Sequence, residues 1–364
     1  MNPTLLEREL STHLDALPVP PGDLMAVLRR ARTLRRRRIG AVTAAAVLVA
    51  AVGGGAVTAL RWHPDDAVHD IAPLGTLDAE HGLRAYGDPG HTIHLGGREV
   101  TDTGDFGWLD TDAVATPSGI VFFGSNGRAL LLGLDGRTHT LGERPEASPS
   151  DDWHPSSAFD AQESWVAWTE PTDDGVRVVV FDLAGRREVN DLVVPCAEVD
   201  CDSVQVAGLD SGYAWVGTAD GVRAWRIDSG GWTVAAPAAT RIADARNRVV
   251  LYDERGPAPT ALPDGWRAVA GPIDATLSFD GDYLLDWSSR LRPTSPGGRP
   301  LVLAQPPKPG DLAWWSFDTD GTVLVAVGYH PSVVYDCPLS TEPCERIGEL
   351  ADEGGDPMFI GQDM

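Results

Sequence analysis

Several kinds of residue and motif are scarce in this chain of 364 residues. Lysine is almost absent: of 29 basic residues only Lys308 is not an arginine. With the abundant alanine and glycine, this bias points to a high-GC bacterial genome. Basic residues as a whole are outnumbered by 53 acidic ones, for a net charge of -24. An acidic surface repels phosphate, which argues against nucleic acid as a partner. His-Glu-x-x-His, Gly-x-Ser-x-Gly and a phosphate-binding glycine loop are all missing, so metalloprotease, serine-hydrolase and nucleotide chemistries lack their usual signatures. No cofactor is expected. The four cysteines have neither the spacing nor the neighbouring histidine of a common zinc site, so no metal is expected either.

Long apolar runs are missing too, with one exception. Ile39 to Leu60 carries no charge, and Arg35, Arg36, Arg37 and Arg38 precede it. A helix of that length spans about 33 Å, close to the hydrocarbon thickness of a bilayer. Clustered arginines resist translocation, so residues 1–38 should stay in the cytoplasm and everything beyond the segment should lie outside it. Charge divides the same way: eight arginines face four acidic residues up to Leu60, and the excess of acid falls entirely after it. A cleaved signal peptide ending near Val57-Thr58-Ala59 is the competing reading, but 38 residues are long for its basic region. The domain boundaries expected are 1–38 cytoplasmic, 39–60 transmembrane, 61–82 linker and 83–361 extracytoplasmic.

Two short helices are expected before the membrane. Thr4 and Glu7 form a capping box, and Leu6, Leu10, Leu14 and Leu17 follow as a stripe on one face. Pro18, Pro20 and Pro21 end that helix, and Asp23 caps a second one that runs toward the membrane. The arginines mark topology and bind anionic head groups. The leucine stripe is a candidate docking face for a cytoplasmic protein.

After Gly119 the pattern changes to short apolar runs bounded by turns. GIVFF at Gly119, SWVAW at Ser164, GYAWV at Gly212, NRVVL at Asn247, DYLLD at Asp282 and VLVAV at Val323 begin at intervals of 45, 48, 35, 35 and 41 residues. Asn126-Gly127, Asp135-Gly136, Asp174-Gly175, Asp220-Gly221, Asp264-Gly265, Asp280-Gly281 and Asp320-Gly321 lie among them. These dipeptides accept the positive φ of tight hairpins, so antiparallel sheets are expected throughout. Four strands in about forty residues make a propeller blade, although the irregular intervals also accommodate a pair of β-sandwiches. The clearest unit reads as strands at 157–162, 164–169, 176–183 and 187–194. Six blades follow Thr111. The leftover pieces at 83–87, 92–96, 98–101 and 357–361 complete a seventh from both ends of the domain, although a six-bladed ring also accommodates the repeats. The fold class is therefore all-β, a β-propeller, preceded by the membrane helix and the helical cytoplasmic segment.

On this repeat length and these Asp-Gly turns, residues 83–361 resemble bacterial β-propellers of the TolB and WD-like broad class, without the Gly-His to Trp-Asp signature of the WD family. Through Leu17-Pro18-Val19-Pro20-Pro21-Gly22-Asp23-Leu24 and the arginines beyond it, residues 1–60 resemble the N-terminal part of actinobacterial membrane proteins, anti-sigma regulators among them. The His and Cys cluster of the zinc-containing members is missing.

Cys196, Cys201, Cys337 and Cys344 all follow the membrane segment, where oxidation persists. Local pairs, Cys196 with Cys201 and Cys337 with Cys344, are the economical assignment among three possible pairings. Asp151, Asp152, Trp153 and His154 form the most polar and aromatic loop and are the candidate ligand contacts, the bland alternative being an acidic loop with Trp153 covering the core. Ser316 to Thr322 has the look of the Asp-box turn of sialidase-like propellers with its glycine one place late, and is expected to be a structural hairpin. The function expected is a non-enzymatic binding or sensing module at the cell membrane, with an unknown extracytoplasmic ligand or protein as partner. The alternatives are a transmembrane regulator whose leucine stripe binds a partner such as a sigma factor, and a propeller-type hydrolase or lyase.

Overall fold

The computed structural model describes residues 82–87, 92–101, 113–124, 126–143, 153–160, 162–195, 201–286, 291–301, 303, 313–328, 332–340, 342–350 and 358–360. The cytoplasmic helices with their leucine stripe, Arg35 to Arg38 and the membrane segment all lie outside the described residues. So do Cys196, Asp151 and Asp152.

Seven sheets account for the described strands. Blade 1 joins Met358–Phe359 to Tyr86–Gly87, Thr92–Leu95 and Arg98–Thr101. Blade 2 comprises Val114–Thr116, Gly119–Phe123, Ala129–Gly133 and Thr138–Thr140; blade 3, Ser157–Asp160, Trp165–Pro171, Gly175–Asp182 and Arg187–Pro195. Blade 4 comprises Gln205–Asp210, Tyr213–Thr218, Gly221–Arg226 and Trp232–Pro237; blade 5, Ile242–Arg246, Val249–Asp253 and Arg267–Gly271. Blade 6 has Thr276–Leu277, Tyr283–Leu285 and Leu291–Pro293; blade 7, Ala313–Phe317, Val323–Val327, Ser332–Cys337 and Glu345–Leu350. First strands of successive blades lie against one another, so they form the inner wall.

Each blade is sandwiched between two others, and its second strand is therefore buried on both faces. This is why Gly119–Phe123 and Val323–Val327 are continuous apolar runs, buried at every position, where a half-exposed strand would alternate. Seven hydrophobic clusters fill the seven interfaces. Ile93 and Leu95 meet Ile120 and Phe122 between blades 1 and 2, and Phe123 meets Trp168 between 2 and 3. Val178 meets Val206 and Trp225 between 3 and 4, and Trp215 meets Val250 and Trp266 between 4 and 5. Leu251 meets Leu284 between 5 and 6, Leu285 meets Val325 between 6 and 7, and Leu324 meets Tyr86 and Phe359 between 7 and 1. The cycle of interfaces returns to its start. The domain is a seven-bladed β-propeller.

Blade 1 is the seam. Tyr86 pairs with Phe359 and Gly87 with Met358, so the last described strand of the domain supplies the inner strand to a blade begun by its first. Blade 5 departs from the antiparallel expectation, because Arg267–Gly271 runs parallel to Val249–Asp253. The chain between them crosses to the outer strand of blade 4, where Thr260 N and Ala261 N donate to Ala235 O at 2.9 and 3.2 Å. Asp264-Gly265, read as a hairpin, instead ends this return: Gly265 has φ 81° and Trp266 follows into the interface.

Candidate functional site

The inner strands end in a repeated way. Phe159-Asp160, Leu209-Asp210, Ala245-Arg246 and Phe317-Asp318 occupy equivalent places in blades 3, 4, 5 and 7, and Phe279-Asp280 follows the inner strand of blade 6. Three of the carboxylates reach toward the next blade. Asp210 Oδ2 accepts from Arg248 N at 2.8 Å and Asp318 Oδ2 accepts from Arg84 N at 2.8 Å. The backbone of Ser211 lies close enough to Asp160 to favour its charged form. The three residues reached have φ of 51° (Ser211), 60° (Arg248) and 48° (Arg84), the left-handed region that side chains avoid. Each carboxylate offsets part of that strain, which costs about 1–2 kcal/mol per residue.

Blades 3 to 6 leave a small depression where these strand ends meet, lined by Phe159, Gln162, Leu209, Asp210, Arg246 and Phe279. Arg246 replaces the aspartate of the repeat. Its Nε lies 3.0 Å from Asp244 Oδ2, its guanidinium carbon lies 4.3 Å over the Phe279 ring, and its buried Nη1 has no partner. Asp244 is itself fixed, accepting from Ala245 N at 2.7 Å and from Leu277 N of blade 6 at 2.9 Å. Around the rim, Gln162 Nε2 donates to Asn247 Oδ1 at 3.5 Å and Asn247 Nδ2 donates to Asp280 O at 2.5 Å.

Next to this depression Asp160 is 1% exposed, and its Oδ2 makes no hydrogen bond. Burial, with Asp210 nearby, pushes its carboxyl up from 3.8 to about 6, against the backbone amides of Gln162 and Glu163 that hold it down. A guanidinium stacked on an aromatic ring suits a carboxylate or carbonyl, and the Asp210 carboxyl that lines the depression suits an amine or amide.

Of the residues singled out from sequence, those that are described lie elsewhere. Trp153 is buried, 6% exposed, in the core between blades 3 and 4. His154, beside it, is exposed. Neither lines the depression. Cys337 and Cys344 are joined, and Cys201 is disulfide-bonded. Ser316 to Thr322 forms a hairpin turn: Gly321 has φ 86°, and Asp320 Oδ1 accepts from Thr322 N at 2.9 Å. Sequence reasoning missed Gln162, Arg246 and Phe279. The signal for Arg246 and Phe279 was the aromatic-or-leucine-plus-aspartate pair that recurs at the inner-strand ends of blades 3, 4, 6 and 7, with Arg246 as the exception in blade 5.

No protein-family model matches the chain, and no curated protein matches it. Solved structures do. TolB from Acinetobacter baumannii is similar at 13% identity and a TM-score of 0.34, over 64% of this chain and 62% of that one, so less than two thirds of TolB is spanned. Dihydro-heme d1 dehydrogenase NirN in complex with DHE aligns at 15% identity and a TM-score of 0.42, over 76% of this chain and 75% of that one. A functionally unknown protein from Desulfotomaculum acetoxidans aligns at 13% identity and a TM-score of 0.35, over 77% of this chain and 97% of that one.

Proposed function

We propose that this chain is a single-pass membrane protein that holds its propeller outside the cytoplasm as a non-enzymatic binding or sensing module. The observation that carries the reading is the Cys337–Cys344 disulfide, in a domain preceded by an uncharged 22-residue run with four consecutive arginines before it. Disulfides persist outside the cytoplasm, and clustered arginines ahead of an apolar run favour export of the domain beyond it. The depression around Arg246, with a volume of about 10 Å³, has room for no more than one terminal group of a ligand, which would meet the unpartnered guanidinium nitrogen beside Phe159 and Phe279. A reporter active only outside the cytoplasm, fused after Met364, is active with the natural sequence. It loses activity when Arg35, Arg36, Arg37 and Arg38 are made neutral. A fusion that is silent in the first case removes the reading.

A further inference from the structure

The Cys337–Cys344 disulfide occupies a particular place in blade 7. Asp336 and Glu345 are the last registered pair of the outer hairpin, and the cross-linked cysteines are the next residue on each strand. Both carboxylates point at one side chain across the seam. Asp336 Oδ2 lies 2.9 Å from Arg84 Nε, and Glu345 Oε2 lies 2.5 Å from Arg84 Nη2. Two strands must keep their ends together for one guanidinium to meet both.

We propose that this disulfide is a redox-sensitive latch on the seam of the ring, holding Asp336 and Glu345 as a two-point clamp on Arg84 when oxidised and loosening residues 82–87 when reduced. Without the cross-link, Asp336 and Glu345 are the terminal pair of the ladder, the place where a hairpin frays first. The cost falls on Asp336, which is 6% exposed with its Oδ1 already unpartnered. Arg84 is its ion-pair partner there. The clamp also acts through Tyr86, whose hydroxyl donates to Ile347 O on the same outer strand at 3.5 Å. Blade 7 therefore grips the first strand of the domain at two successive places, both dependent on the position of Glu345–Leu350. Reduction is an ordinary exchange with a dithiol: its thiolate attacks one Sγ and the Sγ–Sγ bond breaks. Two electrons and two protons pass to the cysteines, and the reductant leaves as its own disulfide.

The test is hydrogen exchange on the full chain, followed in peptides covering residues 82–87 and 336–345. Cys337→Ser with Cys344→Ser should speed exchange at 82–87 about tenfold, the scale expected for one charge-assisted hydrogen bond. Arg84→Met should do the same alone and add nothing in the serine background. A dithiol added to the folded natural protein should reproduce the change, and should have no further effect at 82–87 in the serine variant, which separates this bond from the disulfide of Cys201. Faster exchange confined to 336–345, or effects of Arg84→Met and the serine pair that multiply, would overturn the proposal.

Discussion

Asp318 Oδ2 accepts the backbone amide of Arg84 at 2.8 Å, so the turn that ends the inner strand of blade 7 holds the residues leading into Tyr86–Gly87. It does not act alone. Thr319 Oγ1 accepts from Leu83 N at 2.9 Å and Asp320 Oδ2 from Gly82 N at 2.8 Å, so one turn satisfies three consecutive amides. Gly82 is required by this closeness, because a Cβ there would lie 2.2 Å from Asp318 Oδ2.

Asp318→Ala removes the acceptor for both Arg84 N and Thr319 N. With two amides left in a buried place, it should destabilise the domain by about 2–4 kcal/mol in denaturant unfolding. Asp318→Asn sheds the buried charge and keeps one acceptor oxygen, but sets an amide nitrogen against the other N–H, so it should recover only part of that loss. Equal losses in the two variants would show that charge, and not the acceptor, matters.

The pH dependence is set by two buried carboxyls. Burial pushes Asp160 and Asp318 from 3.8 to about 6. A raised folded value means the native state binds the proton more tightly. The contribution is complete below about 3.8, the unfolded value, and is lost as pH rises through about 6. Between pH 7 and pH 5 each group should therefore add about 1 kcal/mol of stability. Asp135 and Asp253, held below the usual range despite some burial by hydrogen bonds from their arginine and histidine neighbours, act in the opposite direction at lower pH. Unfolding midpoints measured across this window should rise on acidification, and the rise should flatten in Asp160→Asn with Asp318→Asn. A flat profile in the natural protein contradicts the assignment.

Gly348→Ala would put a Cβ 2.1 Å from the Tyr86 hydroxyl oxygen. It should cost about 1–3 kcal/mol by overpacking. Tyr86→Phe removes that oxygen, leaving ring carbon at 3.0 Å as the nearest neighbour, and should recover most of the loss. A double-mutant cycle by thermal unfolding that proves additive would place the collision elsewhere.

The leucine stripe separates an anchor from a regulator. Asp at both Leu10 and Leu14 would bury two unpaired charges in any contact with a cytoplasmic protein, and several kcal/mol of desolvation should abolish it. A crosslinking pull-down from membranes should capture a protein with the natural chain and lose it with the double variant. Identical captures would reduce the stripe to a topological segment.

The ring was legible because its physics is local. Runs buried on both faces and Asp-Gly turns repeat along the sequence, and the strands of blade 3 lie within two residues of where the alternation put them. Even the seam was foreshadowed by leftover strands at 83–87 and 357–361. The return in blade 5 was not, because Asp264-Gly265 has the same local chemistry as a hairpin turn and only its contact with Ala235 redirects the chain. The same holds for Arg246: an arginine in place of the repeated aspartate is a one-letter difference until Asp244 and Phe279 close around it. Trp153 shows the converse, an aromatic on a polar loop that the space between two blades takes into the core.

A seam made from both ends of the domain also sets the order in which the molecule matures. Tyr86 is synthesised long before its partner Phe359. Until then blade 1 presents an open edge to the other chains around it, and no shortened product that stops before Met358 can cover it. Ring closure is thus a long-range event that waits until Met358–Phe359 has been made. Loss of Met358–Phe359 turns a closed ring into a row of sheets with an adhesive edge.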